Sequence, residues 1–223
     1  VFHLLSFRYK EGGLSMLSYA TVEPRTLEIL RAIMSVAIFS QTRLVGGTSL
    51  ALQLGHRKSI DLDFFGCIKS ENEEIKDVLR DIGQLSVIKE SRHIKIYMVD
   101  DIKIDFVDYV YKWIDAPLCD GDIRLASMKD IAAMKINAVE GRGTKKDFVD
   151  IYFLLRHFTL EQILSFYKAK YPENSEFRAL MSLTYFDDAE PQIAPEMLIP
   201  VEWEKMKETI RQAVREFQEK TLL

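Results

Sequence analysis

The sequence predicts an α/β protein of the α+β kind, with strands and helices mixed up to about residue 115 and helices alone beyond it. Three observations carry that. Runs rich in β-branched and aromatic residues at 60–65, 85–90, 93–99 and 102–107 all fall in the first half. Apolar residues at helical spacing precede them between Leu27 and Ile38. After Tyr111 helical periodicity dominates, at 129–140, 147–158, 160–171 and 202–220. Residues 1–115 are accordingly read as a mixed core and 116–223 as an α-helical C-terminal domain.

Each element has its own reason. Pro24 suits the first turn of a helix, where its missing N–H loses no partner. Behind it Leu27, Leu30, Ile33, Met34, Ala37 and Ile38 form one stripe. Residues 43–46 read as a brief strand, and 48–54 as a helix closed by Gly55, since glycine takes the left-handed turn at a helix end without strain. In 60–65, Ile60, Leu62 and Phe64 share one face of a strand while Asp61, Asp63 and Phe65 share the other. The charged stretch 71–81 reads as a surface helix, and Asp100-Asp101 as the tight turn joining the strands on either side. Pro172, Pro191, Pro195 and Pro200 mark 172–200 as an irregular connection with at most one short helix. In the tail Trp203, Met206, Ile210, Ala213, Val214 and Phe217 line one helical stripe.

Composition bounds the function. A chain of 223 residues with 48% apolar and 29% charged residues is long enough to bury a core and has the composition of an ordinary soluble globular protein. The net charge of −4 argues against a general nucleic-acid coat and leaves room for a local basic groove. Cys67 and Cys119 lack a CxxC partner, which fits a reducing compartment, and are read as packing residues. The opening VFHLLSFRYKEGG is too short in its apolar part for a secretory signal, and no apolar run reaches the ~20 residues of a membrane span. The cytoplasm is the expected compartment. No HxxxH or HExxH spacing suggests zinc, and no GxSxG suggests a serine nucleophile.

The chemistry concentrates in LVGGTSLALQLGHRKSIDLDFF, residues 44–65. A strand that ends in Gly46 and Gly47 and enters a helix brings free N–H groups to a point, with Thr48 and Ser49 as hydroxyl donors beside a positive helix terminus. That is an anion cradle suited to phosphate. Taken alone, GGTS reads first as a tight turn with an N-cap. Asp61 and Asp63, two apart on a strand, repel unless a divalent cation lies between them, and Mg²⁺ accepts one or two carboxylates plus water and substrate phosphates. Asp105, midway along a second strand in DIKIDFVDYV, is placed to join them if the strands are neighbours, and three carboxylates can hold two metals. Asp108 has the opposite parity.

These strings, together with MKINAVEGRGTKKDFVDIYFLL downstream, resemble the AbiEii-type nucleotidyltransferase toxins of the DNA polymerase β-like superfamily, over roughly residues 25–160 and in family order. The resemblance implies a nucleotidyltransferase fold, a small mixed sheet flanked by helices. It implies that Gly47, Thr48, Asp61 and Asp63 form the first motif, with Ser49 adjacent, that Asp105 is the third acid, and that Lys135 and Asp147 support the nucleotide and the site. It also implies Mg²⁺ (or Mn²⁺) as cofactor, an NTP substrate, an RNA acceptor such as tRNA, and a separately encoded antitoxin as partner.

The remaining candidates are weighed on their own residues. Lys135 shares a helix face with Ala132 and Val139 and extends a long cation from an apolar stripe, or snorkels to the surface. Asp147 follows the basic loop GRGTKK and reads as an N-cap as well as a site residue, with Asp150 its rival. Arg57, in the loop between cradle and acids, reads as a phosphate contact or as a solvated arginine. A two-metal nuclease, and a non-catalytic nucleotide- or partner-binding relative, are the competing functions.

Overall fold

A computed structural model describes residues 17–221, so the opening segment weighed as a signal lies outside the described residues. The first helix, α1 (Pro24–Ser35), starts at the proline and buries Ile29, Leu30, Ile33 and Met34. It stops short of Ile38 because Val36 turns extended, and a 3₁₀ turn at Ala37–Phe39 then drives Phe39 into the sheet core. Strand β1 (Thr42–Leu44) leads into α2 (Gly46–Leu54), which Gly55 closes at φ +68°. Then come β2 (Leu62–Gly66) and the surface helix α3 (Asn72–Ile82). A meander follows of β3 (Leu85–Glu90), β4 (Ile94–Val99) and β5 (Ile102–Asp108). Asp100 and Asp101 both take positive φ, as a two-residue hairpin turn requires, and Arg25 and the Gln84 N–H bind the Asp100 carboxylate.

The sheet has seven strands, two more than the sequence pattern reveals. A hairpin of β6 (Leu118–Asp120) and β7 (Ile123–Leu125) comes from beyond residue 115, and β7 pairs parallel with β1 at Leu44 and Leu125. Strands of three residues carry too few alternations to be read as a pattern. The order is β3-β4-β5-β2-β1-β7-β6. At its centre β2 runs parallel to β5, with Leu62 opposite Ile104, Asp63 opposite Asp105 and Phe64 opposite Phe106.

That register separates the two faces. Leu62, Phe64, Ile104 and Phe106 enter a core closed by α1 and α3, where Phe106 stacks on Phe39 and Phe64 with ring centroids 4.7 and 5.2 Å away. The opposite face receives the helical part: α4 (Met128–Gly141), α5 (Lys145–Leu154), α6 (Leu160–Lys170), α7 (Glu176–Leu183) and α8 (Trp203–Thr221). Ser127 caps α4, and Thr159 with Gln162 forms a capping box on α6. The single short helix expected within 172–200 is α7. Cys67 and Cys119 are exposed on the surface, and neither is a packing residue.

Phe106 is 1% exposed and meets three aromatic rings, so Phe106→Ala should lose about 3–5 kcal/mol in a denaturant titration. A loss below about 1 kcal/mol would show that this core does not close where the structure places it.

Candidate active site

A cleft of about 360 Å³ opens between the central strands, the start of α2 and the side of α4, lined by Val45, Gly46, Asp63, Asp105, Lys135 and Arg142 among others. A larger cavity of about 640 Å³ lies between the α5–α6 turn and α8. It contains none of the candidate site residues, so the smaller cleft is the candidate site on chemical grounds.

Asp63 and Asp105 are neighbours on parallel strands, which lie about 4.8 Å apart. Burial, and then the adjacent Asp105 charge, push the Asp63 carboxyl up to about 6. Asp105 Oδ2 takes an ion pair from Lys103 at 2.6 Å, while its Oδ1 is buried with no hydrogen-bond partner. A half-buried carboxylate pair with one orphaned oxygen fits the donor set of a hard divalent cation. Asp61 does not sit with the pair. It precedes β2, its carboxylate is 48% exposed and drawn towards Lys146 at 3.7 Å, and among the described residues no three acids, histidines or cysteines converge as a metal-holding group. The strand begins one residue too late to fix Asp61 on the face that Asp63 occupies.

The paired glycines have two separate reasons. Gly46 takes φ +69°, and a Cβ there would collide with Asp63 Oδ2. A Cβ on Gly47 would collide with the Arg57 guanidinium. Helix α2 has no side chain capping its N-terminus, and that terminus opens at Gly46 into the cleft, beside the acids. Thr48 and Ser49 are turned away from it. The buried Thr48 hydroxyl binds Ser59 Oγ and the Asp61 carbonyl, and the buried Ser49 hydroxyl meets Gln53 at 3.3 Å. The cradle is therefore backbone, and Thr48 pins the loop that carries Asp61.

Behind the cleft lies a buried ion cluster centred on Asp150. Arg57 grips it with two bonds, Nε to Oδ1 at 2.8 Å and Nη2 to Oδ2 at 2.9 Å, and His56 Nε2 meets Oδ1 at 2.8 Å. Lys135 Nζ reaches Asp150 at 2.6 Å and Asp147 at 3.0 Å. Asp147 is also held by Arg142 at 2.9 Å and by the Thr144 hydroxyl at 2.6 Å, so it is a cluster member in the first turn of α5 rather than the N-cap, which is Thr144. Burial alone would raise both carboxyls. The Arg57 and Lys135 charges outweigh it at Asp150, and Lys135 and Arg142 do so at Asp147, leaving both well below the ordinary range. Burial likewise opposes the Lys135 charge, and the two aspartates more than restore it. Arg57, 3% exposed and committed to Asp150, is an internal anchor and not a solvent-facing phosphate contact. His56 was missed by the sequence, and Asp150 was read only as a rival of Asp147. The i, i+3 spacing in KKDFVD is the signal that both acids share one helix face.

Over residues 28–221 the chain matches the family described as nucleotidyl transferase AbiEii toxin, type IV toxin–antitoxin system. The chain belongs to the AbiEii family. It is, by that membership, a nucleotidyltransferase. A protein of Aquifex aeolicus, aq_aa25, is 34% identical to this AbiEii chain over 200 residues, covering 86% of this chain and 95% of that protein. Two solved structures share the fold. A candidate nucleotidyltransferase from Helicobacter pylori superposes with a TM-score of 0.57 at 20% identity, covering 88% of this chain and 92% of its own. MenT4, a nucleotidyltransferase toxin of Mycobacterium tuberculosis, superposes with a TM-score of 0.54 at 13% identity, covering 86% of this chain and 82% of its own. At such identities the likeness establishes the nucleotidyltransferase fold.

Two consequences can be measured. The raised carboxyl of Asp63 means that its protonation favours the folded state: its stabilisation is complete below the ordinary carboxyl pKa of 3.8 and is lost as pH rises through about 6. Asp63→Asn should thus be more stable than the parent by roughly 1–2 kcal/mol at pH 8, with the gain fading as pH falls towards 4, in urea titrations without metal. A gain that is absent at pH 8 would mean that the pair is not repulsive. Conversely, Asp150→Ala should lose about 3–5 kcal/mol, because it leaves Arg57 and Lys135 buried without their partner. Stability unchanged in that variant would remove Asp150 from the centre of the cluster.

Proposed function

We propose that this AbiEii-family nucleotidyltransferase moves a nucleoside monophosphate from an NTP to the hydroxyl of an acceptor, with an RNA such as tRNA as the acceptor class. The reading assigns Asp63 and Asp105 to hold Mg²⁺, or Mn²⁺ in its place, with the exposed Asp61 as an outer third carboxylate. The bound ion supplies charge neutralisation at the reacting phosphate and acidifies the attacking hydroxyl. The uncapped N–H groups of α2 at Gly46 and Gly47 receive phosphate oxygens, and Lys135 gives the wall behind them a positive field. Asp105 Oδ1 accepts the hydrogen bond of the attacking hydroxyl. The acceptor oxygen bonds to the α-phosphorus as its proton passes to Asp105 Oδ1, the α-phosphorus bond to the bridging β-phosphate oxygen breaks, and pyrophosphate leaves.

One observation carries this reading: the in-register Asp63–Asp105 pair, with its orphaned oxygen, shares a cleft with the open N-terminus of α2. By family, the protein would act as the toxin of a type IV pair, opposed by a separately encoded antitoxin. Among the described residues no helix is long and apolar enough to cross a membrane.

Each α-labelled NTP, incubated with total RNA and the protein, should place label on RNA when Mg²⁺ is present and not when it is chelated. Asp63→Asn and Asp105→Asn should each lower incorporation at least about 100-fold while retaining the parent circular dichroism. RNA that is shortened and unlabelled would replace the transferase reading with a nuclease.

A further inference from the structure

The strand that carries Asp105 also carries Lys103, two residues earlier on the same face of the sheet. Its ammonium stands 2.6 Å from Asp105 Oδ2, and its side chain is 38% exposed, so it reaches in from the solvent side. Its charge also acts on Asp63, where it opposes the repulsion from Asp105 and Asp61. The other cations nearby are committed elsewhere. Lys135 is held by Asp147 and Asp150 at 3.0 and 2.6 Å, Arg142 by Asp147 at 2.9 Å, and Lys146 leans towards Asp61 at 3.7 Å. Among the described residues, Lys103 is the cation whose ammonium rests on a carboxylate of the pair.

We infer that Lys103 is a tethered cation that neutralises Asp105 in the nucleotide-free protein and makes loading of the divalent ion depend on arrival of the triphosphate. The inference rests on the reading of Asp63 and Asp105 as metal ligands. Its physical basis is competition for one carboxylate. A divalent ion that approaches Asp105 meets a positive charge already on Oδ2, and must displace it or bind beside it at a Coulombic cost. A triphosphate changes the balance, because its oxygens offer the ammonium a second anionic partner, and the four-carbon stem of a half-exposed lysine is free to follow. Nucleotide and metal then favour each other's binding, and the coupling is reciprocal. An enzyme built this way carries little metal between turnovers and assembles its charge pattern only around substrate.

The test measures Mn²⁺ binding, by the electron paramagnetic resonance signal of the free ion, with and without a non-hydrolysable NTP analogue. The proteins compared are the parent, Lys103→Met, Lys103→Gln, Lys103→Arg and a control, Lys89→Met, on the exposed edge strand β3. Without nucleotide, the Met and Gln variants should bind Mn²⁺ about tenfold more tightly than the parent, the scale of one unit charge against a divalent ion across a solvated contact. Lys103→Arg and Lys89→Met should match the parent. The analogue should strengthen Mn²⁺ binding less in the neutral variants than in the parent. Parent-like or weaker binding in both neutral variants would overturn the inference. With Asp63→Asn added as a metal-ligand control, if the parent binds Mn²⁺ and Asp63→Asn does not, that failure belongs to Lys103 alone. If neither the parent nor any Lys103 variant binds Mn²⁺ with or without the analogue, the metal reading of the pair falls and takes this inference with it.

Discussion

Asp150 is the point on which the arrangement depends. A carboxylate with no exposed side-chain surface is tenable only when its charge is met on every side, and here the loop after α2 brings His56 and Arg57 while α4 brings Lys135. These groups come from the sheet side and from the helical side of the molecule. Satisfying one buried charge therefore fixes how the two halves meet, and the cleft is the space left between them. The same cluster sets Arg57 under Gly47 and Lys135 along the cleft wall. Buried ion clusters add little net stability, and their value here is in specifying one geometry.

The sheet divides its labour by parity. On β2 and β5 one set of alternate residues, Leu62 and Phe64 with Ile102, Ile104 and Phe106, is apolar and packs under α1 and α3, while the other set carries two like charges side by side. The apolar set gives the strands their reason to pair; the charged set works against it. Local rules of this kind are broken where a protein needs reactive groups rather than stability, and the break falls at the centre of the sheet, where the flanking strands hold the register firmly.

Much of this was legible in the sequence. Alternation in IDLDFF and KIDFVD gave the two strands and the shared face of Asp63 and Asp105, because a half-buried strand must alternate. The helices α4, α5, α6 and α8 declared themselves by periodicity, and Gly55 by its place after the last apolar turn. What the pattern could not give was direction within the fold. Thr48 and Ser49 look like donors beside a glycine pair, yet Thr48 turns inward to Ser59 and the Asp61 carbonyl, and Ser49 to Gln53 one turn along its own helix. Arg57 looks like a solvated loop residue until Asp150, 93 positions later, is placed beside it. Asp61 shares parity with Asp63 only if the strand has already begun, and strand ends are where periodicity says least. The β6–β7 hairpin was missed for want of length, and with it the fact that the sheet continues past residue 115.

The span of the Asp150 cluster has a consequence for a chain still being made. His56 and Asp150 are 94 residues apart, and the backbone of His56 and Lys58 is further bonded to the strap at 196–199. A ribosome delivers the glycines and the paired acids early, long before Lys135, Asp147 and Asp150 exist. Until then Arg57 has no partner to bury against, and the cradle has no back wall. Contacts so distant in sequence close late, after the loop entropy between them is overcome. A cleft walled by groups so far apart in the chain is complete only when the later residues have been made, and a chain stopped before Lys135 carries the sheet and its paired acids without that back wall.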